Sequence, residues 1–248
     1  MASPAVQHQE SPESYNSFAR LVGVIFSPKA TFESIARRPN WLLPILLLTI
    51  VTLAVVGFFG HRVGWRAFFE KQDANSSSFQ QASSEQQERS LEGQVKYGPP
   101  FVYVTAAISS VIGAVIVAAI LFGVFSGLMG AKFSFKTSMG IVTHSWVPGV
   151  IVALLGILII FVKDPSTIDL QHLVASNGGA FLASDSSKWL VSLLGSIDIF
   201  SFWYMILMAI GFSAAAPKKL SFGKAFATIF FLWAIFVVCR AGIVGAFS

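Results

Sequence analysis

Long apolar runs alternate with polar segments along most of the 248-residue chain. Each run reaches about 20 residues or more, the length that an α-helix needs to cross a hydrocarbon core of about 30 Å. Within the runs, apolar and polar residues do not alternate as they do in the strands of a membrane barrel. The pattern therefore predicts an all-α, polytopic membrane helical bundle with five transmembrane helices, at about 41–60, 101–129, 141–162, 190–212 and 226–247.

The first 40 residues differ from the membrane domain, 41–248, and are predicted to form a cytoplasmic N-terminal tail with short amphipathic helices. The first helix follows the spacing i, i+3, i+4, i+7, i+8 in Phe18, Leu21, Val22, Ile25 and Phe26. The second begins at Ser27 and Pro28, an N-cap and a first-turn proline. Both are expected to lie at the membrane surface. Packing on the protein's own loops would produce the same pattern.

A long polar segment, 61–100, separates the first two apolar runs and is rich in Ser and Gln. It is compatible with either a solvated helix or a flexible insert. The run that follows, 101–129, is longer than one crossing requires, which favours a tilted or projecting helix.

Composition supports a membrane protein, because 54% of the residues are hydrophobic and only 12% are charged. The net charge of +5 comes from Lys and Arg scattered beside the apolar runs rather than from one basic tract, so nucleic-acid binding is not expected. Five of these cations lie in the two short loops near 130–140 and 213–225. Since cytoplasmic loops retain Lys and Arg, the N-terminus is predicted to be cytoplasmic and the C-terminus to lie on the opposite side.

Two charged residues fall inside the predicted spans, Asp198 in the fourth and Arg240 in the fifth. A charge near the centre of a membrane helix costs roughly 2.5–3.5 kcal/mol on insertion scales, so such residues usually find partners. Both lie roughly 10–12 Å from the same predicted membrane surface at about 1.5 Å rise per residue. They are candidates for an intramembrane ion pair that sets the register of two helices, or for an ion or proton site.

A proline inside the third span predicts a kink. Pro148 cannot donate a backbone hydrogen bond and frees the carbonyl group of His144 four residues earlier. His144 and Pro148 therefore mark a candidate kink and polar site, with an interfacial hydrogen-bonded histidine as the simpler interpretation.

One side of the second span is rich in glycine, which permits close helix approach. The candidate helix-packing face consists of Gly113, Gly123, Gly127 and Gly130, and Gly123 and Gly127 form a GxxxG pair. Packing within one chain and a homodimer interface are both compatible with this face.

Enzyme signatures are missing from the sequence. It contains no HExxH motif, no phosphate-binding loop and no second intramembrane aspartate beside Asp198. The four histidines do not have metal-ligand spacing, and the single cysteine, Cys239, lies in the last apolar run. We therefore expect a protein that is not an enzyme, with no cofactor, no metal site and no catalytic residue.

Three stretches together resemble the Yip domain family of membrane proteins. They are LVGVIFSPKATFESIARRPNWLLPILL (21–47), SWVPGVI (145–151) and GSIDIFSFWYMILMAIGFSAAAPKKLSFGKAFA (195–227). Within them, Ser27-Pro28 and the pattern Asp198-x-Phe200-x-x-Trp203 match the family. The resemblance implies five spans and a cytoplasmic N-terminus, and the chain looks like a bacterial inner-membrane member.

Eukaryotic members of that family bind Rab-type GTPases and take part in vesicle traffic and membrane shaping, often as oligomers. This chain has only about 40 residues before its first span, unlike those relatives. Our hypothesis is a non-enzymatic scaffold or membrane-organising, trafficking-related protein whose partners are the lipid bilayer and other membrane proteins or copies of itself. The alternative is a transporter or channel component that uses Asp198 and Arg240.

Overall fold

The computed structural model describes residues 16–74, 76–168, 173–183 and 186–246. These residues are mainly helical, as the all-α prediction requires. The α-helices are α1 Ser17–Phe26, α2 Pro28–Arg37, α3 Leu42–Arg62, α4 Trp65–Asp73, α5 Ser77–Gln80, α6 Ser84–Phe122, α7 Phe135–Ser145, α8 Gly149–Val162, α9 Lys188–Gly195, α10 Ile199–Ala215 and α11 Phe222–Ala246.

Four helical segments in the described part of the chain are long and apolar enough to cross a membrane. They are Leu42–Arg62, Ser84–Leu128, Phe135–Val162 and Phe222–Ala246. The predicted fourth span, 190–212, is not a continuous helix, because it is divided between α9 and α10 by residues 196–198. Helix α10 alone has 17 residues. The last residue of the predicted fifth span, 247, lies outside the described residues.

The polar segment 61–100 is largely helical, which corresponds to the solvated-helix interpretation. It contains α4, α5 and the first 17 residues of α6. Helix α6 begins with a capping box in which the Ser83 side chain accepts from Gln86 N–H and the Gln86 side chain accepts from Ser83 N–H. Arg66 on α4 donates to Glu88 on α6 over 2.7 Å, which ties the two helices together in water.

Helix α6 then continues without interruption into the membrane domain. Pro99 and Pro100 lie inside it, and its last residues, Gly123–Leu128, are π-helical. The whole helical segment, Ser84–Leu128, has 45 residues. The helix that contains span 2 therefore starts well before the predicted residue 101, because favourable capping and charge pairs extend it into the polar region.

The core of the bundle lies where α2, α7 and α10 meet. Phe32 and Ile35 of α2 are fully buried there, together with Ile141 of α7 and Phe212 of α10. Helix α7 is buried from Thr137 to its end, and its Ser138 hydroxyl donates to the Ala118 carbonyl of α6 over 2.8 Å. The opposite half of the bundle, beyond the α7–α8 break, is less tightly packed and contains the cavities described below.

The two N-terminal helices pack on this core. Helix α2 covers α10 and α7, and α1 lies against α2, α7 and α3. Helix α1 turns Arg20, Leu21 and Val24 inward. Three residues of the predicted apolar face, Phe18, Val22 and Phe26, are instead 65%, 59% and 79% exposed. Both short helices therefore contact the protein itself, and α1 leaves an apolar stripe uncovered.

Candidate functional site

Asp198 lies at a helix start and not inside a helix. Its side chain caps α10, because one carboxylate oxygen accepts from the backbone N–H groups of Phe200 at 2.8 Å and Ser201 at 3.2 Å. Its other oxygen accepts from the Ser176 hydroxyl. The chain preceding α10 is also held by a backbone bridge between Asn177 and Asp198. These contacts give the half-buried carboxylate hydrogen-bond partners and satisfy N–H groups that the start of α10 leaves free.

The predicted ion pair between Asp198 and Arg240 is absent from the described residues. Arg240 is exposed on α11, and among those residues it forms no ion pair or hydrogen bond with Asp198. The physical reason is local, since the backbone of α10 and the Ser176 hydroxyl already satisfy the carboxylate. The prediction treated 190–212 as a regular helix and missed the break that makes Asp198 a cap.

Asp198 does line a cavity of about 400 Å³, which we call the polar cleft. Its polar lining comes from Thr52 of α3, Ser176 and Asn177 of the connection before α9, and Asp198 and Tyr204 of the α10 segment. Its floor includes Gly149, at the start of α8, where a Cβ atom would lie 3.1 Å from the Tyr204 hydroxyl oxygen. The cleft thus joins the two places where apolar helices are interrupted.

The interruption of the third span lies at Trp146–Pro148, between α7 and α8. His144 precedes it and is fully buried. Its Nδ1 atom lies 2.8 Å from the Gly140 carbonyl oxygen, and its Nε2 atom has no hydrogen-bond partner among the described residues. His144 lines neither the polar cleft nor a second cavity, between α6, α10 and α11, whereas Trp146 lines the second one. The break thus brings Trp146, rather than the histidine, to the open half of the bundle.

The comparisons with known proteins identify the family of the chain. A model of the Yip1 domain matches residues 22–243. The chain belongs to the Yip1 domain family. The match begins within α1 and ends within α11, so both interruptions and the polar cleft fall inside the Yip1 domain. Neither the curated proteins nor the solved structures gave a match.

The glycine face of the Yip1 domain does not form one packed surface. Gly113 lies against the Trp146 indole, where an added Cβ atom would be 3.5 Å away. Gly123 and Gly127 are exposed, with no heavy atom within 4 Å of a built Cβ atom. Gly130 has a φ angle of 69°, so its role is to end the π-helical segment in the left-handed conformation.

Sequence reasoning missed Arg20, whose side chain is only 5% exposed. Its guanidinium donates to the Ser34 hydroxyl and the Arg38 carbonyl, each at 2.8 Å, and to Asn40 Oδ1 at 3.3 Å. These acceptors are neutral, and two of them belong to the last turn of α2 and its cap. Burial, with a contribution from the Arg38 charge, lowers the pKa of Arg20 from its ordinary value. The cation therefore caps the negative end of the α2 dipole and fastens α1 to it.

The described residues contain no group of three or more His, Cys, Asp or Glu side chains that could hold a metal ion. His172 and the tail before residue 16, including His8, lie outside the described residues.

Proposed function

We propose that this Yip1-domain protein is a non-enzymatic scaffold that organises other components of its membrane. The observation that carries the proposal is the uncovered stripe of α1. Arg20 is used internally to fix this helix on the bundle, so Phe18, Val22 and Phe26 are held facing outward at successive turns. Large apolar side chains on a fixed helix favour contact with a bilayer surface or another membrane protein over exposure to water.

The proposed topology has five spans, formed by α3, α6, α7 with α8, α9 with α10, and α11. Helix α10 packs on α11, and α9 also lies against α11, so the broken pair accompanies α11 over most of its length. We place the N-terminus in the cytoplasm and the C-terminus on the other side of a bacterial inner membrane. The basic residues of the connections 129–134 and 216–221 support this orientation. Single cysteines introduced into 216–221 in a Cys239→Ser background should be blocked by an impermeant thiol reagent only after cell lysis. Labelling in intact cells would reverse the proposed orientation.

The contact of α1 with lipid is tested by a spin label. The full-length protein with Cys239→Ser and Val22→Cys, labelled with a nitroxide, is placed in vesicles that contain anionic lipid. Oxygen and a water-soluble relaxing agent then report depth, which we expect to be about 5–10 Å below the headgroup boundary. A label at the exposed Lys29 of α2 is the matched aqueous control. Equal access of the water-soluble agent to both labels would contradict membrane contact.

The scaffold role itself is tested in cells with a proximity-labelling enzyme fused to the N-terminus. A reproducible set of membrane-protein neighbours is expected, and it should shrink in a Phe18→Ser, Phe26→Ser variant that keeps the wild-type membrane level. A neighbour set identical to that of an unrelated protein of the same topology would refute a specific scaffold.

Transport or channel activity is the second candidate, because the polar cleft reaches Asp198 between three apolar helices. Proteoliposomes should then show a solute or ion flux that Asp198→Asn abolishes, while the exposed Arg240→Gln serves as the matched control. Asn keeps the helix cap, so a lost flux would not reflect unfolding. Flux equal to that of protein-free vesicles supports the scaffold.

A further inference from the structure

A second cavity lies on the other side of Tyr204, between α6, α10 and α11, and has a volume of about 340 Å³. We call it the apolar cavity. Its lining is formed by aliphatic, methionine and aromatic side chains, including Leu121, Met205, Met208, Ile229, Leu232 and Phe236. Hydroxyl groups come only from Ser201 and Tyr204. A lining in which aliphatic, methionine and aromatic side chains predominate favours an apolar occupant over water.

The apolar cavity is open on one side. Ile116 and Ile120 of α6 and Phe236 of α11 line it and are each at least half exposed. They belong to two of the segments that are long and apolar enough to cross a membrane. The opening therefore lies between two membrane-spanning helices and faces sideways, away from the centre of the bundle.

The depth of the opening decides what can enter it. Its α11 lining, 229–236, starts seven residues after Phe222 in a helix of 25 residues. At about 1.5 Å per residue, the lining occupies the middle third of a helix roughly 37 Å long. Its α6 lining, 116–121, is likewise about 10–18 Å from the end of the helical segment at Leu128. In a bilayer with a core of about 30 Å, this depth is occupied by acyl chains.

We propose that the apolar cavity is a binding site for one acyl chain of a phospholipid from the surrounding bilayer. The chain enters between α6 and α11 and packs against Met205 and Met208, whose flexible thioether side chains adapt to a chain of variable conformation. Dispersion contacts between the acyl chain and the lining side chains stabilise the bound lipid. This site is independent of the scaffold role and of the polar cleft.

A photoreactive phospholipid tests the proposal. The full-length protein is reconstituted into phosphatidylcholine vesicles that contain a phosphatidylcholine with a mid-chain diazirine, illuminated, digested and mapped by mass spectrometry. We expect label on the four α10 residues that line the cavity, Ser201, Tyr204, Met205 and Met208, in addition to the exposed faces of α6 and α11. Leu232→Trp fills the cavity from α11 and should abolish the label on these four residues. Val238→Trp, on the same helix, exposed and not part of the lining, should leave the label unchanged.

A second pair of variants serves to exclude misfolding as the cause of a lost label. Val117→Trp fills the cavity from α6, and Val115→Trp, exposed on the same helix outside the lining, is its control. Each protein must keep the wild-type gel-filtration profile and unfolding midpoint. Label on the four cavity-lining residues of α10 that persists in both filled variants would overturn the proposal. Cross-links from 201–208 to a second copy of the chain would also overturn it. Stronger labelling by a diazirine fatty acid than by the phospholipid at equal mole fraction would overturn it as well.

Discussion

If Asp198 caps a helix, substitutions at this position should change stability differently than if Asp198 formed an ion pair with Arg240. Asp198→Ala removes the oxygen that accepts from Phe200 and Ser201 and the oxygen that accepts from Ser176. Asp198→Asn keeps a side-chain oxygen at the cap, and asparagine caps helices about as well as aspartate. The two substitutions should therefore differ in stability, whereas an ion pair would be lost equally in both.

The expected magnitudes follow from these contacts. Loss of an N-cap costs about 1 kcal/mol, and the hydrogen bond from Ser176 adds roughly another 1 kcal/mol, so Asp198→Ala should destabilise the protein by about 2 kcal/mol. Asp198→Asn forfeits mainly the interaction of the charge with the helix dipole, about 0.5 kcal/mol. Arg240→Gln changes an exposed side chain and should stay within about 0.5 kcal/mol of wild type.

The assay is reversible unfolding in mixed micelles with an increasing fraction of SDS, followed by tryptophan fluorescence. A double-mutant cycle between Asp198→Ala and Ser176→Ala should give a coupling of roughly 1 kcal/mol, and the cycle with Arg240→Gln less than about 0.5 kcal/mol. Equal losses for Asn and Ala at position 198, or a coupling of about 1 kcal/mol or more to Arg240, would refute the capping assignment.

Three further predictions concern other contacts. Gly140→Ala should lower the unfolding midpoint in the same assay, because the new Cβ atom would lie 2.9 Å from a backbone carbonyl oxygen, whereas Gly127→Ala, with open space around it, should not. Arg20→Met should cost about 2–3 kcal/mol by leaving buried carbonyl and hydroxyl acceptors unpaired, and a loss below about 0.5 kcal/mol would contradict its capping role. Arg66 lowers the pKa of the Glu88 carboxyl, so the link between α4 and α6 is present above the unfolded-state pKa near 4.3 and is lost as the pH falls through the lower folded-state value. Amide hydrogen exchange in α4 should therefore be slower in the wild type than in the Glu88→Gln variant at pH 6, and equal in the two proteins at pH 3. A difference between the two proteins that is the same at pH 6 and at pH 3 would disprove the link.

Hydropathy was sufficient for the helical class and for the position of the first, third and fifth apolar segments. The long runs 41–60 and 226–247 contain no charged residue other than Arg240, and they correspond to α3 and α11. The same averaging hid the break before α10. A window over 190–212 counts the apolar residues on both sides of Ser196 and Asp198 and overlooks that aspartate followed by an apolar run is a helix start signal.

Arg20 could not be assigned from periodicity, because its partners are carbonyl groups at the end of another helix. A helical wheel places an arginine on the polar side of α1, whereas the structure buries Arg20 against the protein and leaves Phe18 and Val22 exposed. The partners of Arg20 are the last carbonyl groups of α2, which need a hydrogen-bond donor. They come within reach of Arg20 only after α1 and α2 have packed together. Such tertiary capping has no short sequence signature.

The single helical segment from Ser84 to Leu128 has a mechanical consequence. At about 1.5 Å per residue it is roughly 67 Å long, about twice the thickness of the hydrocarbon core. Its first 17 residues carry the α4 contact, and its other end adjoins α7 in the buried core. A rotation or displacement of the α4 end is therefore transmitted to the core through one continuous helix. The helix bends most easily at Pro99 and Pro100, because proline has no backbone N–H to donate. The segment would therefore couple motion at one face of the membrane to the helix core near the other face.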